Sequence, residues 1–287
     1  MGETNLIKKA DLARVREVEF VSMFSDDLRK LNELLGITRL IPKQAGTVLK
    51  AYKAVGVLED GAVAEGETIP LSKYETQPVE VGELVLKKWR KATSAEAIMD
   101  RGYDQAVTMT TDKMLSDIQK EIRGDFAEFL ATGAGTASGA TFQAALANAW
   151  GELQILFEDT GISAVYLMNP LDVAGYLGTA NISVQTAFGM SYVENFLGLG
   201  AVILLSNVPK GKIYATAKEN LIGYYVPANG ADLNEAFTFS TDETGLIGIH
   251  EEPDYTNMTA SDTVISGVTI LAERIDGIVV ATIGAGE

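Results

Sequence analysis

Residues 103–139 read YDQAVTMTTDKMLSDIQKEIRGDFAEFLATGAGTASG, and this stretch decides the fold. Up to residue 132, apolar side chains recur every three or four positions, which is the period of an amphipathic α-helix: Val107, Met114, Ile118, Ile122, Phe126 and Phe129. The pattern predicts a helix over 103–132, roughly 40 Å long at about 1.5 Å per residue. We interpret this long helix as a spine. The small residues 133–139 that follow predict a flexible joint and a domain boundary.

On the N-terminal side of the spine helix, two predicted strands frame a polar segment. The strands are expected at 47–58 and 79–92, and the segment 59–78 between them carries Gly, Pro and many charges but few large apolar groups. A two-stranded ribbon of this kind buries too little apolar surface to offset the entropy of ordering it. We therefore expect it to be either mobile or covered by another molecule. Upstream, Ser25 predicts the N-cap of a short helix that ends at Gly36, and the segment before it is expected to be an extended arm or a loosely held helix.

Beyond the joint, the pattern changes to alternating helices and strands. Thr141 predicts a helix N-cap, 162–168 a buried strand, and Asn169 followed by Pro170 the start of a second helix. Short strands are expected at 201–205, 212–217 and 221–226. The last third predicts longer strands at 237–240, 246–250 and 264–283.

Composition excludes several classes of function. The 287-residue chain has 23 basic and 39 acidic side chains, a net charge of −16 with its single histidine neutral. This charge repels phosphate and argues against a sequence-reading nucleic-acid binder. The absence of cysteine excludes disulfides, iron–sulfur clusters and a thiol nucleophile. The longest apolar run, 199–205, is much shorter than the roughly 20 residues of a membrane helix, so no membrane association is expected.

Motifs that carry catalysis or cofactor binding do not stand out. The spacing of Gly133, Gly135 and Gly139 is one residue too long for a dinucleotide fingerprint, and it follows a helix instead of a strand. His250 lies in a predicted strand, and we interpret it as structural. We therefore predict no catalytic residue, no cofactor and no metal site. Acidic residues are plentiful, so counting them leaves a paired-carboxylate hydrolase open.

Two clusters of charge are not explained by the packing of one globular chain. The basic cluster lies on the returning strand and consists of Lys87, Lys88, Arg90 and Lys91. The acidic stripe lies on the spine helix and consists of Asp117, Glu121, Asp125 and Glu128. Two solvated faces are one explanation. Our hypothesis is that the ribbon of one subunit lies across the spine helix of a neighbour, with the basic cluster facing the acidic stripe. Such heterologous contacts build rings or lattices.

The order of these parts resembles the major capsid proteins of tailed bacteriophages (Caudovirales), which have the Hong Kong 97 fold. The shared order is an arm, a charged ribbon, a spine helix, a Gly-rich joint, an α/β domain and closing strands. Several segments are similar to this family, namely 20–39, 64–70, 87–91, 208–221 and 269–274.

The resemblance implies an α+β fold with an N-terminal arm, an extended β-ribbon loop, a peripheral domain with a long spine helix, and an α/β axial domain. The expected divisions are an arm with a short helix at 1–35, the peripheral domain at 36–52, 92–139 and 236–275, the extended loop at 53–91, the axial domain at 140–235, and a C-terminal strand returning to the axial domain at 276–287.

The resemblance also implies a structural role without enzymatic activity. Subunits would self-assemble as pentamers and hexamers into an icosahedral shell that encloses double-stranded DNA, in the virion, after assembly in the cytoplasm of the bacterial host. An acidic inner wall would not grip DNA and obstruct its packing. A portal is implied, and because only residues 1–24 precede Ser25, so is a separate scaffolding protein.

Two other functions fit the same sequence. An encapsulin-like nanocompartment would use the same fold to hold a cargo enzyme, docked at the N-terminal segment. A more distant alternative is an acidic α/β enzyme that depends on carboxylates and uses the ribbon as a lid. The long polar segment 59–78 favours the phage capsid over the nanocompartment.

Overall fold

The computed structural model describes residues 9–38, 40–157, 161–177 and 184–284. Residues 1–8 of the predicted arm and 285–287 of the predicted C-terminal strand lie outside this range.

Helix α1 (Lys9–Leu35) is one continuous helix through the predicted N-cap. The expected start at Ser25 is wrong, because the buried stripe on α1 already begins at Phe20 and continues through Phe24 and Leu28. Ser25 instead donates a hydrogen bond from its hydroxyl to Asp242 Oδ2, at 2.6 Å. The predicted end is confirmed, with Gly36 at a φ of 71°.

The spine helix is confirmed with a different beginning. It consists of a π-helical turn (Asp104–Thr108) that continues into α3 (Met109–Leu130), and a short helix α2 (Ala95–Arg101) precedes it. Its buried side chains share one face and include Leu115, Ile118, Ile122, Phe126 and Leu130. This face packs with α1 in one core cluster.

The ribbon is shorter than predicted on its returning side. After the short strand β1 (Leu40–Pro42), strand β2 (Val48–Val57) pairs antiparallel with β3 (Lys73–Glu83). The chain then leaves the ribbon, and β4 (Lys87–Ser94) joins a different sheet. The prediction of a single returning strand over 79–92 is therefore wrong.

Beyond the spine helix, helices and strands alternate as predicted, and the last part of the chain consists of strands. The elements beyond the spine helix are β5 (Gly135–Gly139), α4 (Phe142–Leu156), β6 (Ala164–Met168), α5 (Pro170–Leu177), β7 (Gln185–Ala187), β8 (Met190–Phe196), β9 (Gly200–Leu204), β10 (Lys212–Ala217), β11 (Leu221–Tyr225), α6 (Ala231–Ala236), β12 (Ile247–Asp254), β13 (Thr259–Ser266), β14 (Thr269–Ala272) and β15 (Ile278–Ile283). Short 3₁₀ turns occupy Lys218–Asn220 and Ile275–Gly277.

The described strands form four sheets. The largest has the order β5-β15-β10-β6-β9-β8-β7, and two smaller sheets have the orders β12-β13-β4 and β1-β11-β14. The β2–β3 ribbon is the fourth. Strand β15 pairs with β10 in the largest sheet, so the C-terminal part of the chain does return to the strands that follow the spine helix.

The predicted flexible joint is wrong. Residues of β5 form parallel pairs with β15 along its whole length. A Cβ on Gly135 would lie 2.9 Å from the carbonyl oxygen of Ile278, and a Cβ on Gly139 would lie 2.6 Å from the carbonyl carbon of Ala144. The glycines are therefore explained by close backbone approach, and the sheet contains residues on both sides of the predicted boundary at 139.

Local capping signals in this region are confirmed. Thr141 Oγ1 accepts a hydrogen bond from the Ala144 N–H at 3.2 Å, and Asn169 Oδ1 accepts one from the Leu171 N–H at 3.0 Å. The hairpin β7–β8 was not predicted. The expected strand at 237–240 is wrong, because within it only Ser240 forms an isolated bridge, to Ile249.

The largest sheet separates two cores. Alternate residues of β6 point to opposite faces: Val165 and Leu167 pack in the core that contains α1 and α3, whereas Tyr166 and Met168 pack in the core that contains α4. The spine helix and α1 thus lie on one side of the sheet and α4 on the other. This arrangement fixes the base of the ribbon and the position of β4 relative to α3.

Candidate assembly surfaces

Among the described residues, the contacts of the β2–β3 ribbon with the rest of the chain lie at its base. There, Leu49 and Leu84 are buried with Val226 and Leu271, and the Tyr52 N–H donates a hydrogen bond to the Glu273 carbonyl at 2.6 Å. Away from the base, large apolar side chains are exposed: Val55, Val57, Leu58, Ile69, Leu71 and Tyr74. Exposed apolar side chains that lie close together are typical of surfaces that contact another molecule.

The ribbon tip, residues 58–72, is a loop that contains a turn at Glu65 and Gly66. The Glu59 N–H donates to Ser72 Oγ at 3.1 Å, which ties the two sides of the tip together. The Glu67 N–H donates to the Ala64 carbonyl at 3.1 Å, across Gly66 with its φ of 90°. Leu71 at this tip is 93% exposed. The tip therefore presents uncovered apolar side chains on a loop whose two sides are joined by a hydrogen bond.

The basic cluster does not lie on the ribbon, contrary to the prediction. Strand β4 pairs antiparallel with β13 in the sheet β12-β13-β4. Because successive side chains of a strand point to opposite faces, the cluster divides in two. Lys87 and Lys91 point inward toward α3, whereas Lys88 and Arg90 are exposed.

Lys87 joins β4 to the acidic stripe of the same chain. Its Nζ lies 2.7 Å from Glu121 Oε1 and 2.5 Å from Asp125 Oδ2, and the Trp89 indole N–H donates to Glu121 Oε2 at 2.9 Å. Partial burial opposes the charge on Lys87, but the hydrogen bonds to Asp125 and Glu121 outweigh it and raise the pKa of Lys87. Burial likewise opposes the charge on Glu121, yet the hydrogen bonds from Lys87 and Trp89 lower its pKa.

Lys91 belongs to a second, more buried cluster. Its Nζ lies 3.0 Å from Asp262 Oδ2 and donates to the Val107 carbonyl at 2.9 Å and to Thr110 Oγ1 at 2.6 Å. Asp262 is its direct cross-strand neighbour on β13 and also accepts a hydrogen bond from Thr111 Oγ1 at 2.8 Å. This cluster fastens the start of the spine helix to the β12-β13-β4 sheet.

Helix α1 is fastened to the same sheet by charged groups. Arg16 lies 3.5 Å from Asp262 and pairs with Glu251, to which its Nε donates at 2.5 Å. Glu17 accepts a hydrogen bond from the Glu251 N–H at 2.8 Å and another from Ser240. Burial raises the pKa of the Glu251 carboxyl, against the opposing effect of Arg16.

The structure brings together some of the predicted pairs within one chain. Lys87 contacts Glu121 and Asp125. Asp117 pairs with Lys113 one helical turn away. Lys88, Arg90 and Glu128 remain exposed, and contact of the basic cluster with a neighbouring subunit stays a prediction. Sequence reasoning missed Asp262, whose pairing follows from strand register that no local pattern encodes.

The groove beside His250 contains three carboxylates that are already hydrogen-bonded or ion-paired. A cavity of about 520 Å³ beside His250 is lined by Glu17, Glu251 and Asp262. All three carboxylates already hold the partners described above, and His250 Nε2 is 3.9 Å from Glu252, too long for a hydrogen bond. Within the described ranges, no group of three or more potential ligands could hold a metal ion. No described helix is long and apolar enough to cross a membrane.

Comparisons with known proteins find no match by sequence but do find matches by structure. No family model matches the chain, and no curated protein matches it. Solved structures do match over most of its length, among them phage capsid and encapsulin chains. The class defined by the fold is therefore an α+β capsid-type architecture.

Three of these structures illustrate the likeness. The capsid subunit of cyanophage A-1(L) is 12% identical with a TM-score of 0.53, covering 89% of this chain and 93% of that one. The holo-SrpI encapsulin of Synechococcus elongatus PCC 7942 is 16% identical with a TM-score of 0.51, covering 88% and 86%. A Mycobacterium phage Patience chain is 10% identical with a TM-score of 0.51, covering 100% and 95%. The chain has the Hong Kong 97-type capsid fold.

Proposed function

We propose that this chain is the major capsid protein of a tailed bacteriophage, a structural subunit that assembles as pentamers and hexamers into an icosahedral shell around double-stranded DNA. The likeness to the cyanophage A-1(L) capsid subunit carries the proposal, because it spans 89% of this chain and 93% of the other. A likeness of that extent leaves little of the chain for an added catalytic domain, which favours a structural role.

The ribbon supports an assembling subunit. Its apolar side chains beyond the base lack cover from the described part of the chain, and Leu58 and Leu71 are 77% and 93% exposed. In a shell, a neighbouring copy would cover them, and the contact would be heterologous because the ribbon meets a different surface of its neighbour. Contacts of that type close into rings and extend into lattices.

The charge of the chain supports DNA as the enclosed cargo. A wall that is acidic on average repels the phosphate backbone, so DNA can be packed without adhering to it. A portal and a scaffolding protein are the partners expected under this proposal, and the virion is the expected location.

A nanocompartment shell is the second candidate. The observation that favours it is the likeness to the SrpI encapsulin, which has the higher identity of the two, 16% against 12%. The two functions differ in what the shell contains. A phage shell encloses DNA, whereas a compartment of this type would enclose a protein cargo.

The test is to express the full chain, alone and with a candidate scaffolding protein from the same gene neighbourhood, and to examine it by size-exclusion chromatography and negative-stain electron microscopy. Rings or closed shells are expected. Particles filled with DNA in infected cells would support the capsid, and particles with a protein cargo and no DNA would support the compartment. Monomers under every condition would overturn both.

One variant tests the ribbon within this experiment. Leu71→Asp places a charge on a side chain that makes no core contact, so the unfolding midpoint should be unchanged while the yield of shells falls about tenfold or more. Leu71→Met keeps an apolar side chain of similar volume and is the matched control. Normal shell yield from Leu71→Asp would show that the ribbon tip is not an assembly contact.

A further inference from the structure

Within the described residues, the β2–β3 ribbon is attached to the rest of the chain at two points along β2. The first is the small core in which Leu49 is buried with Leu84. The second lies three residues further out, where the Tyr52 N–H donates to the Glu273 carbonyl at 2.6 Å and Tyr52 forms a parallel bridge with Arg274. Three residues of a strand span roughly 10 Å. A single attachment would leave the ribbon free to pivot, whereas two attachments at this separation fix its direction.

An irregularity in the ribbon lies between these two attachments. The register of β2 with β3 shifts between Leu49 and Lys50, where β3 contains one extra residue. A bulge of this kind bends its strand and increases the local twist. The core around Leu49 therefore does not set the direction of the ribbon beyond the bulge, and the attachment at Tyr52 is needed to set it.

The pairing of the two strands leaves the Tyr52 N–H available for this attachment. Tyr52 lies opposite Pro78 on β3. Proline has no N–H to exchange across the pair, so the backbone groups of Tyr52 belong to a pair that is not hydrogen-bonded and point away from β3. Loss of the Tyr52 N–H would therefore remove its bond to Glu273 and no bond to β3.

The segment that accepts this bond, residues 273–277, is held by Asn220. Asn220 is 3% exposed and ends the 3₁₀ turn before β11. Its Oδ1 accepts from the Arg274 N–H at 2.8 Å, its Nδ2 donates to the Arg274 carbonyl at 2.9 Å, and its own carbonyl accepts from the Glu273 N–H at 2.8 Å. The Nδ2 also donates to Thr216 Oγ1 at 3.1 Å, which joins the segment to β10. One residue thus fixes the backbone on both sides of the Glu273 carbonyl.

We propose that Asn220 is a positioning residue for assembly, which sets the direction of the ribbon through residues 273–277, and that this direction is required for shells to close. The inference rests on the proposed shell function and adds the device within one chain that orients the ribbon. Because Asn220 is buried, it acts through the segment that it holds and not by contact with another copy.

Removal of the second attachment tests the direction of the ribbon. Tyr52→Pro deletes the N–H that reaches Glu273, and proline is tolerated where the N–H of an edge strand points outward. Ala54→Pro is the matched control. Ala54 lies two residues further out, opposite Thr76, so its N–H points to the same side of the strand as that of Tyr52 but beyond the attachment.

The measurement is the distribution of distances between two spin labels on dissociated subunits. The chain contains no cysteine, so Leu71→Cys at the ribbon tip and Ile155→Cys on α4, both at exposed positions, provide the only two thiols. The distance distribution should broaden with Tyr52→Pro and stay unchanged with Ala54→Pro. Shells assembled without labels should fall in yield about tenfold with Tyr52→Pro, the factor that corresponds to one hydrogen bond, and should form normally with Ala54→Pro.

Hydrogen exchange of the Tyr52 amide tests Asn220 itself. Asn220→Ala removes the side-chain bonds to Arg274, so local opening at Tyr52 should become easier and exchange about tenfold faster. This variant also loses stability, and Asp262→Asn is the control for that loss. Asp262 contacts β4, α3 and α1 instead of the ribbon, so exchange of the Tyr52 amide in Asp262→Asn should match that of the unaltered chain.

The outcomes separate the positioning role from the shell function. An unchanged distance distribution in Tyr52→Pro, equal broadening in Ala54→Pro, or unchanged Tyr52 exchange in Asn220→Ala would overturn the positioning role and leave the shell function standing. A broadened distribution with a normal yield of shells would overturn the requirement for a fixed direction. Failure of the unaltered chain to form any ring or shell, with or without scaffold, would overturn the proposed function.

Discussion

Asp262→Asn is the sharpest test of how the sheet, the spine helix and α1 are held together. The carboxylate of Asp262 is 2% exposed and contacts groups from three elements. These are Lys91 on β4 at 3.0 Å, Thr111 on α3 at 2.8 Å and Arg16 on α1 at 3.5 Å. The substitution keeps the shape of the side chain and removes its charge.

The loss of stability depends on which contacts Lys91 and Arg16 keep after the substitution. Removing one partner of a buried ion pair costs about 3–5 kcal/mol. Lys91 keeps its bonds to the Val107 carbonyl and Thr110, Arg16 keeps Glu251, and their side chains are 19% and 15% exposed. We therefore expect the lower end, a loss of about 3 kcal/mol in the free energy of unfolding. At roughly 2 °C per kcal/mol for a chain of this size, the melting temperature should fall by about 6 °C.

Urea unfolding of dissociated subunits, followed by tryptophan fluorescence, measures this loss. Trp89 on β4 lies beside the cluster and reports on it. Thr111→Val removes a hydroxyl that lies within hydrogen-bond distance of Asp262 and of the Val107 carbonyl, and it should cost about 1.5 kcal/mol. Asp100→Asn, at an exposed surface ion pair, should cost less than about 0.5 kcal/mol. A loss from Asp262→Asn no larger than that of the Asp100 control would refute the reasoning that this carboxylate holds the three elements together.

Two further predictions concern the chain as a monomer. Lys87→Met should cost about 1 kcal/mol near neutral pH, because the ion pairs are partly exposed. The assay is urea unfolding of both proteins over a pH series. The stability difference between the unaltered chain and Lys87→Met should disappear as pH rises through the raised pKa of Lys87, above 10.5, and as pH falls through the lowered pKa of Glu121, below 4.5. A stability difference that persists at both extremes of pH would contradict this prediction. Gly139→Ala should lower the melting temperature, because the added Cβ would lie 2.6 Å from the Ala144 carbonyl carbon. Gly151→Ala is the control in α4, where the added Cβ meets open space, and it should raise the free energy of unfolding by about 0.5–1 kcal/mol. Equal effects of the two alanines would show that close approach at β5 is not what requires glycine.

Local patterns were enough to predict most of the spine helix, the helix α4, the strand β6 and the start of α5. The apolar period of α3, the caps at Thr141 and Asn169, and the short apolar run of β6 each depend on residues close in sequence. Such features are encoded locally, so they can be recognised without knowing the fold.

The errors arose where distant contacts decide the structure. Glycines suit both a flexible linker and a strand that approaches another backbone closely, and only the pairing of β5 with β15 distinguishes them. Ser25 is a good N-cap residue, but the apolar face of α1 continues on both sides of it. Burial of that face keeps the helix continuous through Ser25. The break between β3 and β4 is likewise set by β13, which lies far along the chain.

The basic cluster shows why a run of like charges on a strand cannot be assigned a single role. Successive side chains point to opposite faces, so its four residues belong to two surfaces, and the partner strand decides which surface is internal. Lys87 and Lys91 are neutralised inside the chain by Asp125 and Asp262 and so contribute to folding. Lys88 and Arg90 project from the other face of an acidic molecule whose copies repel one another at long range. For assembly to occur, that repulsion must be offset at particular contacts between copies.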